Sequence, residues 1–320
     1  MVDALAVIDK PSGMTSHDVI GRCRRLFGQK RIGHAGTLDP DATGVLIVAF
    51  GRATRLLQFM SGLPKSYSAE VVLGVATSTL DAAGEVTGRW DQSHVTLEDA
   101  RSAAVAFTGC ISQVPPMVSA VKVGGRRLHE LARAGIEVDR PARQVTVTRF
   151  DVDLAAARPS PEGPSDPQGG GGTEPIGGAG GGPVLSVRID CSSGTYIRVL
   201  AADLGAALGG GAHVRQLRRL AVGPWTEEVA TPLDSLEERH LLPPSAAVPW
   251  LERICVGADV ATDVGHGKVL DASSLGASGS GPWAVVGPAG DLLAVYETHG
   301  PGRAKPTVVL VGSDSESPRR

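Results

Sequence analysis

Cysteine is scarce in this 320-residue chain, and the four it has do not cluster. Cys23, Cys110, Cys191 and Cys255 lie far apart with no Cys-x-x-Cys spacing, which argues against a zinc site and for a reducing compartment. Long apolar runs are also missing. No window approaches the roughly 18 consecutive apolar residues needed to span a bilayer, so no membrane partner is expected. The first ten residues, Met-Val-Asp-Ala-Leu-Ala-Val-Ile-Asp-Lys, show neither a basic leader nor a small-residue cleavage site. The expected location is the cytoplasm. An excess of positive charge is absent as well: the formal net charge is −3, which by itself does not suggest a polyanion as partner.

What is present suits an ordinary globular chain. At 320 residues it exceeds one common core, so a large domain with a smaller companion is expected. Hydrophobic content of 42% allows a buried core, and 20% charge is unremarkable. The charge is unevenly spread. Basic residues gather at Arg22, Arg24, Arg25, Lys30 and Arg31, at Lys122, Arg126, Arg127 and Arg133, and at Arg215, Arg218 and Arg219. Acids collect elsewhere, as at Asp81, Glu85, Asp91, Glu98 and Asp99. Such clusters are usually solvated faces. A basic groove on a mildly acidic body nevertheless attracts phosphate, because the local field governs contact energy and salt dependence.

The most informative stretch is Arg31-Ile-Gly-His-Ala-Gly-Thr-Leu-Asp-Pro-Asp-Ala-Thr-Gly-Val45. One acid, Asp39, sits among small residues, with His34 five positions before it and apolar Val45-Leu-Ile-Val48 after it. Gly33, Gly36 and Gly44 let the backbone turn tightly and approach a ligand. Pro40 biases Asp39 toward an extended conformation. The pattern fits a carboxylate at the lip of a cleft; the plainer reading is a loop aspartate that caps a turn.

This stretch closely resembles the nucleophile loop of the TruB family of tRNA pseudouridine synthases, Gly-His-x-Gly-x-Leu-Asp-Pro-x-Ala-Thr-Gly, matching at Gly33, His34, Gly36, Leu38, Asp39, Pro40, Ala42, Thr43 and Gly44. Further blocks follow in the family's order. They are Asp9-Lys-Pro-Ser-Gly-Met-Thr-Ser16, Tyr67 within Lys65-Ser-Tyr-Ser-Ala69, Pro115–Lys122 with Leu128–Arg133, Cys191-Ser-Ser-Gly-Thr-Tyr-Ile-Arg198, and Ala212–Ala221. The resemblance implies that Asp39 is the nucleophile and Arg198 the arginine that pairs with it. It implies that Tyr67 stacks on the flipped uracil and helps remove the C5 proton, and that Tyr196 packs beside the site. His34 is implied to wedge into the T loop. With the basic clusters it nominates His34, Lys10, Lys30, Arg31, Lys122, Arg126, Arg215 and Arg218 as RNA contacts. Without the match, Arg198 would read as a surface arginine, Tyr196 as core packing and His34 as an exposed loop residue.

The organisation can be read coarsely. Ser16 to Leu26 reads as a helix with Ser16 as N-cap, Thr96 to Phe107 as a second with a Thr cap, and Tyr196 to Leu208 as a third with Ile197, Leu200, Ala201 and Leu204 on one face. Tyr67–Leu73, Gln144–Leu154 and Val184–Asp190 read as strands. Between the last two, Pro159–Pro183 holds 10 Gly and 6 Pro in 25 residues, with almost nothing to bury. It is expected to be a disordered connection between two neighbouring strands. The expected fold is α+β around a mixed sheet, with a catalytic domain at 1–244. After Pro244, short Val-rich runs at 253–256, 283–286, 291–296 and 307–311 suggest a small β-barrel-like module at 245–313, where the family holds a PUA-type RNA-binding domain. Residues 314–320 are expected to be a disordered tail.

Converting uridine to pseudouridine breaks the bond at N1, turns the uracil and rejoins it through C5. Nothing is oxidised or added, so no cofactor and no metal is expected, nor is a dinucleotide. The reaction needs a carboxylate, acting on sugar or base or in deprotonation, and a base drawn out of its stack at a cost of a few kcal/mol. Asp39-Pro-Asp-Ala-Thr43 also fits Asp-x-Asp-x-Thr, the aspartyl-phosphate signature of haloacid-dehalogenase-like phosphatases, which needs the first Asp at the end of a buried parallel strand. The glycine-rich approach to Asp39 disfavours it. A non-catalytic RNA-binding protein is disfavoured by the presence of Asp39, Tyr67 and Arg198 together. The expected substrate is the T-arm uridine at tRNA position 55, with another structured RNA loop as runner-up, and the expected state is a monomer.

Overall fold

The computed structural model describes residues 2–119, 122–123, 125–128, 136, 138–156 and 181–311, arranged as two compact units. One comprises Met1–Pro40, Val45–Gly62 and Glu228–Arg320, and the other Asp41–Gly44 and Leu63–Glu227. Most of Pro159–Pro183 and all of 314–320 fall outside the described residues.

In the first unit, Ala4–Lys10 is an almost wholly buried strand whose apolar run Ala4-Leu-Ala-Val-Ile8 is continuous, as a strand covered on both faces requires. It pairs in parallel with Thr231–Pro232 and lies beside Thr43–Phe50. The helix Ser16–Leu26 packs Val19, Ile20 and Cys23 into a core with Ile8, Ile32, Leu46, Val48 and Phe50. Its cap is Thr15, one residue earlier than the sequence suggested. The Thr15 hydroxyl accepts from the Asp18 amide at 3.0 Å, and the Asp18 carboxylate accepts from the Thr15 amide at 2.9 Å. Ser16 is buried, and its hydroxyl is used elsewhere. Ile32–Ala35 pairs antiparallel with Thr43–Phe50, placing His34 opposite Val48. The connection of this hairpin carries Asp39.

The C-terminal part of this unit holds a five-stranded sheet in the order Glu252–Cys255, Trp283–Val286, Leu292–Thr298, Arg303–Val309, Leu270–Asp271. All four strands read from the sequence occur. The last begins earlier because Arg303 and Ala304 pair with Asp271 and Leu270, a partner too short to be seen in the sequence. Ile254, Val264, Leu275, Trp283, Val285 and Tyr296 form a separate core. The Trp283 indole N–H donates to the Ser278 carbonyl at 2.8 Å and the Tyr296 hydroxyl to that of Lys268 at 2.8 Å, so the two large aromatic side chains of this core keep their polar ends paired.

The second unit is built on antiparallel strands in the order Ala212–Val222, Lys65–Leu73, Val184–Cys191, Arg143–Leu154, Gly109–Gln113. Thr43 and Gly44 add a parallel pairing to Arg218 and Arg219, so the sheet is mixed. Gly44 sits at φ +102°, and a Cβ there would collide with the Arg219 carbonyl oxygen, so only glycine fits. Leu97–Val105 and Ile197–Ala207 are helices of this unit; in the latter Ile197, Leu200, Ala201 and Leu204 are buried as the spacing required. Arg143–Leu154 and Val184–Cys191 are neighbours, with Leu154 opposite Leu185, as expected of strands joined by the insertion. The architecture is α+β. No helix among the described residues is long and apolar enough to cross a membrane, and all four cysteines are unpaired.

Candidate active site

The Asp39 loop is held by its backbone. Leu38, immediately before the acid, is buried; its amide donates to the Ser16 hydroxyl at 2.9 Å, and that hydroxyl donates to the Leu38 carbonyl at 3.2 Å. Pro40, immediately after, offers its carbonyl to the Lys10 ammonium at 2.9 Å and to the Gly13 amide at 3.0 Å. Lys10 also donates to the carbonyls of Pro11 at 2.8 Å and Met14 at 2.6 Å. Asp39 is therefore carried between two pinned residues and is half-buried. Lys10, expected from the sequence as an RNA contact, is placed here as a support of this loop. The side chain is fully buried, and a buried ammonium bonded to three carbonyls acts on the loop.

In the second unit, Tyr67 is buried on Lys65–Leu73, opposite Ile189 on one neighbouring strand and Arg219 on the other. Tyr196 caps the helix Ile197–Ala207. Its amide donates to the Gln113 side-chain oxygen at 2.8 Å and its carbonyl accepts from the Gln113 side-chain nitrogen at 3.1 Å. Arg198, 4% exposed, is the second residue of that helix, in its first turn. One guanidinium nitrogen forms an ion pair with Asp81 at 3.0 Å and donates to the Thr79 carbonyl at 2.9 Å; the other donates to the Val118 carbonyl at 2.9 Å. Asp81 is itself held, accepting from the Thr79 hydroxyl at 2.5 Å and the Ala83 amide at 3.2 Å, after Leu80 at φ +64°. A left-handed leucine is strained, and it turns Asp81 out of the strand path. Gln113 and Asp81 were not singled out in the sequence. The signal for Asp81 was an acid flanked by Thr77, Ser78 and Thr79 and followed by Gly84, the composition of a side-chain-braced turn.

The proposed RNA contacts are placed unequally. Lys30, Arg31 and Arg126 are exposed, the Arg31 guanidinium donating to the Thr54 hydroxyl at 3.0 Å. His34 is half-buried on its strand. Arg215 pairs with Glu70 and Arg218 with Glu227, at 2.8 and 2.7 Å. The Lys122 side chain lies outside the described residues.

Comparison with known proteins agrees with these motifs. Residues 24–197 match the N-terminal domain of TruB family pseudouridylate synthases, residues 198–256 the tRNA pseudouridylate synthase B C-terminal domain, and residues 251–311 the C-terminal domain of tRNA pseudouridine synthase II. The chain is 43% identical over 310 residues to tRNA pseudouridine synthase B of Mycolicibacterium paratuberculosis, covering 96% of this chain and 97% of that protein. It is 43% identical over 318 residues to the same enzyme of Thermobifida fusca, covering 98% and 100%. Among solved structures, a Cbf5–Nop10–Gar1 complex contains a chain of similar fold, with TM-score 0.66 and 25% identity over 96% of this chain and 83% of that one. A second similar fold, with TM-score 0.66 and 22% identity over 97% and 86%, occurs in an H/ACA ribonucleoprotein bound to a substrate RNA. The chain belongs to the TruB family of pseudouridine synthases.

Proposed function

We propose that this protein isomerises a uridine of tRNA to pseudouridine, acting on the T-arm uridine at position 55 as a monomer in the cytoplasm. The observation that carries the reading is the Asp39 loop: the whole family pattern from Gly33 to Gly44 is present, and the residues on either side of the acid are pinned through their backbones. Such a loop presents a carboxylate in one direction without further ordering when substrate arrives, which is where much of an enzyme's positioning advantage lies. Asp39 serves as the nucleophile or as the base that starts glycosidic cleavage. Arg198 keeps that carboxylate ionised and oriented. Tyr67 stacks on the extruded uracil, Tyr196 supports the site, and His34 fills the place the base vacates. Lys30, Arg31, Lys122, Arg126, Arg215 and Arg218 meet phosphate, and the 245–313 module acts as a PUA-type RNA-binding domain after a catalytic domain at 1–244.

The phosphatase reading finds no support in the geometry. Asp39 follows a short antiparallel strand that ends at Ala35, whereas aspartyl-phosphate chemistry places its acid at the end of a buried parallel strand. The test is to map pseudouridine in an unmodified tRNA transcript after incubation with wild-type protein and with Asp39→Asn. Wild type should modify position 55, and the variant should bind tRNA with little change while turnover vanishes. Modification at another site would replace the position; multiple turnover by Asp39→Asn would remove the nucleophile assignment.

A further inference from the structure

One short segment touches both ends of Arg198. Gln113, 2% exposed, is the last residue of the strand Gly109–Gln113 and stands opposite Arg143. Its side-chain amide meets the main chain of a single residue: the Tyr196 amide donates to the oxygen at 2.8 Å, and the nitrogen donates to the Tyr196 carbonyl at 3.1 Å. Farther along the same segment, the Val118 carbonyl accepts from the Arg198 guanidinium at 2.9 Å. Pro115 and Pro116 lie buried between them, and each fixes its own φ. The segment therefore reaches from the root of the Arg198 side chain to its tip with little freedom of its own.

The helix start held in this way departs from the usual pattern. Tyr196 occupies the N-cap position with an extended backbone, φ −102° and ψ 107°, and its side chain makes no capping hydrogen bond. Ser, Thr, Asp and Asn are the residues that stabilise this position, and tyrosine forgoes that stabilisation. Its carbonyl accepts from the Val199 and Leu200 amides at 3.1 Å each, as well as from Gln113. A position that breaks a local rule while its main chain is secured from elsewhere is the mark of a working site. A primary amide suits the task because it carries a donor and an acceptor without charge. It reads N–H and C=O together and adds no charge beside the Asp81–Arg198 ion pair.

We propose that Gln113 is a positioning residue for the isomerisation, its amide setting the main-chain direction at Tyr196 and, through the helix start, the placement of the Tyr196 and Arg198 side chains. The inference rests on the reading of those two side chains as part of the active site. Arginine is long and freely rotating, so its guanidinium is fixed only when tip and root are both held. Asp81, Thr79 and Val118 hold the tip, and Gln113 holds the root. A small turn about the Tyr196 backbone moves both side chains together, and displacing a reacting group by about 1 Å is enough to slow a reaction about 100-fold. Binding of tRNA does not need that accuracy, so the effect falls on the rate of the bound complex.

Single-turnover rates on an unmodified tRNA transcript at saturating protein, with thermal melting in parallel, test the proposal for wild type, Gln113→Met and Gln113→Glu. Gln113→Met keeps the length and removes both polar atoms. Its rate should fall about tenfold or more at temperatures well below its melt, with tRNA affinity within about twofold. Gln113→Glu supplies the readout that a purely structural role would not move. The protonated acid offers a carbonyl and a hydroxyl in place of the amide, whereas the carboxylate only accepts and opposes the Tyr196 carbonyl. Burial raises the titration of such an acid, so the rate of Gln113→Glu relative to wild type should rise severalfold as pH is lowered from about 9 to about 5. A folded Gln113→Met with the wild-type rate would overturn the proposal, as would a Gln113→Glu ratio that stays flat across that range. If Gln113→Met does not fold, the Gln113→Glu profile decides alone. Failure of the functional reading is distinguished by the wild-type protein, which would then form no pseudouridine at any pH.

Discussion

The loop bearing Asp39 and the helix start bearing Arg198 are held by contacts of different kinds. The loop is gripped through its own main chain: amide and carbonyl of Leu38 by the Ser16 hydroxyl, carbonyl of Pro40 by Lys10 and Gly13. All of these partners come from the neighbouring N-terminal segment. The helix start is held by side chains distant in sequence, Asp81 on the Arg198 guanidinium and Gln113 on the Tyr196 backbone. A main-chain grip fixes where a side chain points without depending on what that side chain is. A side-chain clamp sets geometry only while both partners keep their shape and charge. Substituting Asp39 should therefore leave its loop standing, whereas conservative changes at the clamp should damage it.

The sharpest way to break this contrast is at the clamp. Arg198→Lys keeps the charge but cannot serve the Asp81 carboxylate and the Thr79 and Val118 carbonyls from one planar fork. The expected single-turnover rate is lower by about 100-fold, and Asp81→Asn, which removes the charge from the carboxylate that holds the guanidinium, should fall in the same range. Near-wild-type rates in both variants would show that the clamp is only structural. A smaller effect is expected at the grip. Lys10→Met retains the stem and removes three charge-assisted hydrogen bonds, loosening Pro40 beside the acid. The rate should drop about tenfold with unchanged tRNA affinity, since misplacing a reacting group by about 1 Å is already costly. A flatter dependence of tRNA affinity on salt in this variant would instead revive Lys10 as a phosphate contact.

The same contrast explains what could be read in the sequence. The Asp39 loop was legible because its glycines, proline and acid are contiguous and its grip is local. The buried face of Ile197–Ala207 followed from helical spacing, which reports which side faces the core, whereas Tyr67 came from the family resemblance alone. The role of Ser16 was misread, since a serine beside a helix start suggests a cap, whereas the cap is Thr15; the burial of Ser16 and Lys10 is not marked in the sequence. Asp81 and Gln113 act on residues 117 and 83 positions away, and nothing local marks such a pairing. The Leu270–Asp271 strand escaped for a related reason, since two residues carry no periodicity.

The smallest effect is expected from shortening the insertion, and here the fold alters where the cut belongs. The Ala155 amide donates to the Val184 carbonyl at 3.0 Å, so the chain leaves and re-enters the sheet at neighbouring points. A short turn can bridge them, and closure entropy changes only with the logarithm of the length removed. Gly182 and Pro183, however, belong to the sheet: the Gly182 amide donates to the Leu73 carbonyl at 3.1 Å, and the Leu73 amide donates to the Pro183 carbonyl at 3.2 Å. A Cβ on Gly182 would lie 2.8 Å from that of Gln92 and 2.9 Å from that of Leu73, so no other residue fits there without a shift. Replacing 157–180 with Gly-Asn should leave thermal melting and the single-turnover rate near wild type. Extending the replacement through Pro183 removes both hydrogen bonds and should lower stability by about 1–3 kcal/mol, seen as a lower melting temperature. If the shorter replacement slows the reaction while melting stays unchanged, the segment touches RNA and is more than a connection. If both replacements melt alike, Gly182 and Pro183 contribute nothing to the sheet edge.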